Sequence, residues 1–255
     1  MAESLLEVDG LSKSFAGVQA LDSYTLRLAP LAIYGVIGPN GAGKTTLFNL
    51  LTGFLKPTSG RIRLRGRDIT RLPAAQVARL GMARTFQNIR LFGQLSVIDN
   101  VKAALQSRQR HSLLATLTSS PAFLRSEREL SEQAAELLER VGLVARREHV
   151  ARSLPYGDQR KLEIARAVAL SPVILLLDEP NAGMNPSETA ELLVLIRRLR
   201  DDLKITIVIV AHDIPLVMNL CDRIQVLNYG KLIAEGNPAT VRNNPEVIAA
   251  YLGTT

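Results

Sequence analysis

A single cysteine, Cys221, leaves this 255-residue chain no partner for an intrachain disulfide and no basis for a cysteine-cluster metal site. It also agrees with a reducing compartment. Aromatic residues amount to only 4%, and no stripe interleaves them with basic side chains. That removes the stacking platform a nucleic-acid binder needs, so no nucleic acid is expected as a partner. The net charge of +7 is read instead as a solvated basic surface, which also suits anionic lipid headgroups. Long apolar runs are missing too. The longest, Val173-Ile174-Leu175-Leu176-Leu177 and residues 205–211, fall far short of the ~18 residues that cross a bilayer. The start, Met1-Ala2-Glu3-Ser4-Leu5-Leu6-Glu7, is acidic and lacks the basic-then-apolar order of a signal peptide. The expectation is a cytoplasmic protein that reaches a membrane only through a partner.

Hydrophobic residues at 47% and charged residues at 22% supply a large core under an ordinary surface. The length suits one large α/β domain, or a core domain with a smaller subdomain. Gly38-Pro39-Asn40-Gly41-Ala42-Gly43-Lys44-Thr45 matches the phosphate-binding pattern G-x-x-x-x-G-K-[ST] in full. Its glycines let the backbone close around phosphate oxygens with N–H groups inward. Lys44 reaches the β- and γ-phosphates, and the Thr45 hydroxyl holds a Mg²⁺. Tyr34-Gly35-Val36-Ile37 before it reads as a short buried strand. Thr46-Leu47-Phe48-Asn49-Leu50-Leu51 after it opens a helix whose N-terminus favours an anion. The ligand this implies is a nucleoside triphosphate.

Elsewhere the chain alternates strands and helices, with one interruption. Up to about Asp68 it reads as strands and turns, Arg61-Ile62-Arg63-Leu64-Arg65 among them. Residues 88–165 read as a helical subdomain between core segments 1–87 and 166–255. Within it Ser126 and Glu129 form a capping-box pattern, Leu130, Ala134, Leu137, Leu138 and Val141 recur at helical spacing, and Gly142 stands where a C-cap belongs. Residues 112–121 read as a loop. From Val173 the alternation returns: a strand ends at Asp178, Leu192, Leu195, Ile196 and Leu199 mark an amphipathic helix, and residues 205–210 form another apolar strand. This pattern implies a largely parallel sheet covered on both faces, with ligands beyond the carboxyl ends of its strands.

Asp178 and Glu179 close the first of those strands. Asp178 suits a Mg²⁺ ligand, and Glu179, pointing the other way, suits the base that accepts a proton from attacking water. His212 follows the second strand at the same edge, where it can donate to a γ-phosphate or orient the water. Gln87, in Ala83-Arg84-Thr85-Phe86-Gln87, is placed to touch Mg²⁺ and report phosphate occupancy to the helices. Gly157, in Leu154-Pro155-Tyr156-Gly157-Asp158-Gln159-Arg160, opens a helix and offers a second anion site, which the economical reading assigns to the nucleotide of another subunit.

With these elements in this order, the whole chain resembles the ATP-binding subunits of ABC transporters. The resemblance implies a P-loop NTPase-type α/β fold with an N-terminal antiparallel β region. It also implies that Phe15 stacks on adenine, that Thr46 joins the phosphate loop, and that residues 154–159 form the signature motif. Within the family the chain is most similar to the ATPases of branched-chain amino-acid importers, through ARTFQNIRLFG at 83–93, LPYGDQRKLEIAR at 154–166, DEPNAGMNP at 178–186 and RNNPEVIAAYLG at 242–253. That implies ATP and Mg²⁺ as cofactors. The implied partners are a second ATPase subunit (similar but not identical, with a homodimer as the alternative), two transmembrane permease subunits and, indirectly, an extracytoplasmic binding protein. The chain would then sit peripherally on the inner face of the cell membrane. Residues 87–101, with Leu91, Phe92 and Leu95, are the candidate groove for a cytoplasmic helix of the permease.

Two departures from the family pattern stand out: Pro155 replaces a serine, and Leu31-Ala32 replaces Gly-Glu in a turn where Leu31 lacks glycine's freedom at positive φ. Other solutes (urea, amides or lipid) remain alternatives. A soluble ABC ATPase of DNA repair or the ribosome fits less well, because the chain has neither two cassettes nor a coiled-coil insertion. A switch GTPase would need the N-K-x-D that is missing here.

Overall fold

The computed structural model describes residues 4–107 and 121–252. Strands β1 (Leu6–Phe15), β2 (Val18–Leu28), β4 (Ser59–Leu64) and β5 (Arg67–Asp68) make an antiparallel sheet in the order β2-β1-β4-β5. A larger sheet runs β10-β9-β3-β8-β7-β6, built from β3 (Ile33–Ile37), β6 (Met82–Arg84), β7 (Ile174–Asp178), β8 (Thr206–Val210), β9 (Arg223–Asn228) and β10 (Lys231–Gly236). Its strands are parallel except for the edge strand β10, which returns antiparallel along β9.

The uninterrupted apolar strands follow from burial on two sides. Ile33, Ile37, Leu175, Leu177, Ile207 and Ile209 join the cluster formed with the helices on one face. Their neighbours Tyr34, Val36, Ile174, Leu176, Val208 and Val210 face the other way, against α1 (Lys44–Leu51) and the antiparallel sheet. Val36 of β3 and Asp178 of β7 both pair with Val210 of β8. Three strands therefore end level, and the phosphate loop, Glu179 and His212 leave the sheet at one edge.

Helices α2 (Ala74–Arg79), α3 (Val97–Gln106), α4 (Pro121–Arg140) and α5 (Tyr156–Ala169) follow the first strands, and α3 packs on both α4 and α5. Val97, Val101, Leu130, Ala134, Leu138 and Leu162 from these helices merge with the sheet-face cluster. Next come α6 (Pro186–Leu203), α7 (Ile214–Leu220), α8 (Pro238–Arg242) and α9 (Pro245–Leu252). In α6 the buried residues are Leu192, Leu195, Ile196 and Leu199, those whose spacing predicts its apolar face.

Two local expectations are corrected. The capping box at Ser126 does not exist, because α4 already runs from Pro121 and makes Ser126 an interior residue. A closed box lies instead at Asn185 and Glu188, where each side chain bonds the other's backbone N–H and α6 begins. Of the expected loop 112–121, residues 112–120 lie outside the described residues and Pro121 opens α4. Gly142 does cap α4: with φ 75°, it lets the Leu143 N–H reach Leu138 O at 2.7 Å and its own N–H reach Glu139 O at 3.0 Å. Leu31 sits at φ 64°, in the left-handed region where a leucine is strained.

Candidate functional site

The phosphate loop leaves β3 and enters α1 through Gly43, whose φ is 104°. A Cβ there would stand 2.6 Å from Ala20 O, so any other residue would push β2 off the loop. The turn between β9 and β10 braces the loop from the side: Gly230 N–H donates to Ala42 O at 3.0 Å, and Asp22 N–H donates to Gly230 O at 2.8 Å. The first N–H groups of α1 have no acceptor within the helix and aim its positive end at the loop. Above it opens a cleft of about 240 Å³, lined by Ala20, residues 40–46, Gln87, Glu179 and His212.

Lys44 is buried beneath this cleft and donates to Gly38 O at 2.7 Å and Pro39 O at 2.8 Å. Burial lowers its pKa, while the nearby Glu179 and Asp178 pull it back up. A desolvated ammonium held by two neutral carbonyls is well suited to receive an anion.

Asp178 and Glu179 point to different places. Asp178 is buried behind the cleft, its Oδ2 2.6 Å from Arg84 Nη2, and Arg84 also donates to Asn49 Oδ1 at 2.6 Å. Glu179 turns through φ 48°, pinned by its N–H to Val210 O at 2.8 Å, and swings its carboxylate into the cleft. There Gln87 Nε2 donates to its Oε2 at 3.0 Å, and His212 Nε2 lies 2.5 Å from its Oε1. Three residues from three separate stretches thus meet on one carboxylate. Phe15 stands apart at the end of β1, half exposed, with Lys13 Nζ 4.9 Å over its ring. Gly157 does not line the cleft either. It is buried in the first turn of α5, where a Cβ would come 3.0 Å from Glu188 Oε1, and the exposed residues of that turn are Pro155 and Tyr156.

Sequence reasoning overlooked Arg84, Asn49, Arg160 and Glu163. Arg84 left a signal, being a charged residue on the strand β6 that pairs with fully buried β7. The Arg160–Glu163 ion pair, 3.1 Å long and almost wholly buried, left only the i, i+3 spacing of opposite charges.

These residues fit a nucleoside triphosphate: a glycine-walled loop, a helix N-terminus and a buried ammonium converge on one cleft. They fit Mg²⁺ less completely on their own. The Thr45 hydroxyl and the Gln87 carboxamide offer oxygen, but Asp178 is committed to Arg84. Among the described residues no group of three His, Cys, Asp or Glu side chains could hold a metal ion. Phosphate oxygens would have to supply much of the ion's shell, as Mg²⁺ sites of this kind commonly require.

A family model described as "ABC transporter" matches residues 21–182, and one described as "Branched-chain amino acid ATP-binding cassette transporter" matches residues 231–255. The chain is 49% identical to the high-affinity branched-chain amino acid transport ATP-binding protein LivG of Escherichia coli (strain K12), over 99% of each chain. It is 47% identical to the corresponding protein BraF of Pseudomonas aeruginosa, again over 99% of each. Among solved structures it is similar to the ADP conformation of MJ1267, an ATP-binding cassette of an ABC transporter, with a TM-score of 0.86 and 30% identity across 98% of this chain and 99% of that one.

Proposed function

Because the chain belongs to the ABC transporter family as one of its ATP-binding proteins, we propose that it powers import of branched-chain amino acids through a membrane permease. It is an ATPase subunit and binds nucleotide. The observation that carries the catalytic part of the reading is Glu179, held by Gln87 and His212 over the phosphate loop. The substrate class is supported by full-length likeness to LivG and BraF.

In this reading the triphosphate lies in the loop 38–46, its β- and γ-oxygens on Lys44 and on the N–H groups that open α1. Adenine stacks on the exposed Phe15 ring, displacing Lys13. Glu179 takes a proton from the water that attacks the γ-phosphate, which is typically worth about 10²–10⁴ in rate. Gln87 fixes the carboxylate, and His212 exchanges its contact with Glu179 for a hydrogen bond donated to the γ-phosphate. Mg²⁺, held by Thr45 and Gln87 with Asp178 behind them, would supply charge neutralisation at the β- and γ-phosphates.

None of residues 154–159 lines the cleft above this chain's own loop. The second half of each site therefore comes from another cassette, docked head to tail and similar but not identical to this one. ATP closes the pair, and hydrolysis with phosphate release reopens it. Among the described residues no helix is long and apolar enough to cross a membrane, so the membrane part belongs to the permease. A groove of about 420 Å³ between α3 and α5, with Phe92 half exposed at its rim, is suited to a cytoplasmic helix of that partner.

Purification from membranes with identification of the partners, followed by reconstitution, tests the reading. The expected result is recovery of two permease subunits and a second ATPase, and ATP-dependent uptake of leucine, isoleucine or valine. Uptake of urea, amides or lipid instead would overturn the substrate class, and recovery without any permease would overturn the transport role.

A further inference from the structure

Arg160 is the most heavily bonded buried cation of the described residues outside the cleft. From α5 its Nη1 donates to Phe86 O at 2.8 Å and to Glu163 Oε2 at 3.1 Å, while Nη2 donates to Gln87 O and to the Tyr156 hydroxyl at 2.9 Å. Glu163 completes the ring by accepting the Phe86 N–H at 3.1 Å. Both charges are almost fully buried, where an ion pair survives only if most of its remaining hydrogen-bonding groups are met; here both Nη atoms are bonded twice and Nε alone is left without a partner. The ring clamps the backbone of residues 86–87 on both sides. Gln87 thus has its carbonyl tied to α5 and its side chain tied to Glu179. The same Nη2 that holds the Gln87 carbonyl also bonds Tyr156, exposed in the first turn of α5 beside Gly157.

We propose that Arg160 is a positioning residue that locks the Gln87 loop to the first turn of α5, so that occupancy of this chain's nucleotide site and presentation of residues 154–159 to the neighbouring cassette change together. A planar guanidinium is needed because the two carbonyls, the carboxylate and the hydroxyl approach from different directions, and lysine cannot span them. Glu163 also lines the groove between α3 and α5, so a partner pressing there bears directly on the clamp. The role rests on the paired-cassette reading given above.

The test uses the reconstituted transporter and measures ATP hydrolysis against ATP concentration. In the double variant Arg160→Met with Glu163→Leu, both charges are removed together so that no unpaired ion is left in the core. Nucleotide affinity of the isolated subunit should stay within about twofold, because no atom of the cleft is altered. The assembled kcat should fall about tenfold or more, as expected for misplacement by a fraction of an ångström, and the Hill coefficient should fall toward 1. Arg160→Lys should lie between the two and carries the measurement if the double variant does not fold. A cooperative wild type with equally cooperative, equally fast variants overturns the role of Arg160 alone. A wild type with a Hill coefficient of 1 and no ATP-driven closure overturns the paired-cassette reading, and this role with it.

Discussion

Glu179 is a β-unbranched but non-glycine residue at φ 48°, a conformation that costs of order 1 kcal/mol and persists where the surroundings enforce it. Here the enforcement is visible: the N–H is tied to Val210, and the carboxylate is held by Gln87 and His212. Leu31, at φ 64°, has the same strain: its N–H is tied to Thr206 Oγ1 at 2.9 Å, but its side chain is half exposed in a turn and does not line the cleft. Leu31→Gly should therefore stabilise the protein by about 0.5–1 kcal/mol, read by chemical denaturation, with ATP hydrolysis unchanged. Lys44 gives a second residue-scale test. A ligand that binds only the folded state raises the melting temperature by mass action, so Lys44→Ala should fold yet lose most of the ATP-induced rise seen in the wild type. An equal rise in both would detach Lys44 from the phosphates.

At the scale of elements, helix ends make the cleanest predictions. A Cβ on Gly142 would meet nothing within 4 Å, so Gly142→Ala isolates backbone strain and should cost about 1 kcal/mol of stability. Asn185→Ala removes the box that starts α6 and should cost about 1 kcal/mol as well. Both are read from denaturant midpoints at constant slope. The same elements show what the sequence could and could not reveal. The phosphate loop, the apolar strands β7 and β8, the stripe of α6 and the Gly142 cap were legible because each is a local pattern of residue type and spacing. The start of α4 was misread, because a Ser-x-x-Glu pattern inside a helix looks the same as one that begins it. The Arg84–Asp178 and Arg160–Glu163 pairs were missed, because strand pairing and helix docking decide which charges are buried together. The antiparallel edge strand β10 is likewise set by its neighbour.

For the molecule as a whole, the two-faced core makes Cys221 a reporter. Its thiol packs against β3 at Gly35, just before the phosphate loop, and burial pushes its pKa well up from the ordinary 9.0. Alkylation should therefore be slow in the native protein, should follow opening of the core, and should slow further with ATP. The linkage sign is fixed by the same shift. Above pH 9.0 the unfolded chain releases the thiol proton while the native state keeps it. Stability is fully present below that pH and falls as pH rises, by up to about 1.4 kcal/mol per pH unit for one group. Cys221→Ala should flatten this slope between about pH 9 and pH 10. An unchanged slope would show that another group sets the alkaline limit.

The central claim is that Glu179 receives the proton of the attacking water above a triphosphate held by the loop 38–46. Replacing Glu179 by Gln keeps the hydrogen bond from Gln87 within reach but removes the base. Equilibrium ATP binding and steady-state hydrolysis, measured side by side on wild type and Glu179→Gln, decide it. Binding should stay within about twofold while turnover falls at least about a hundredfold; turnover that survives the substitution would contradict the account.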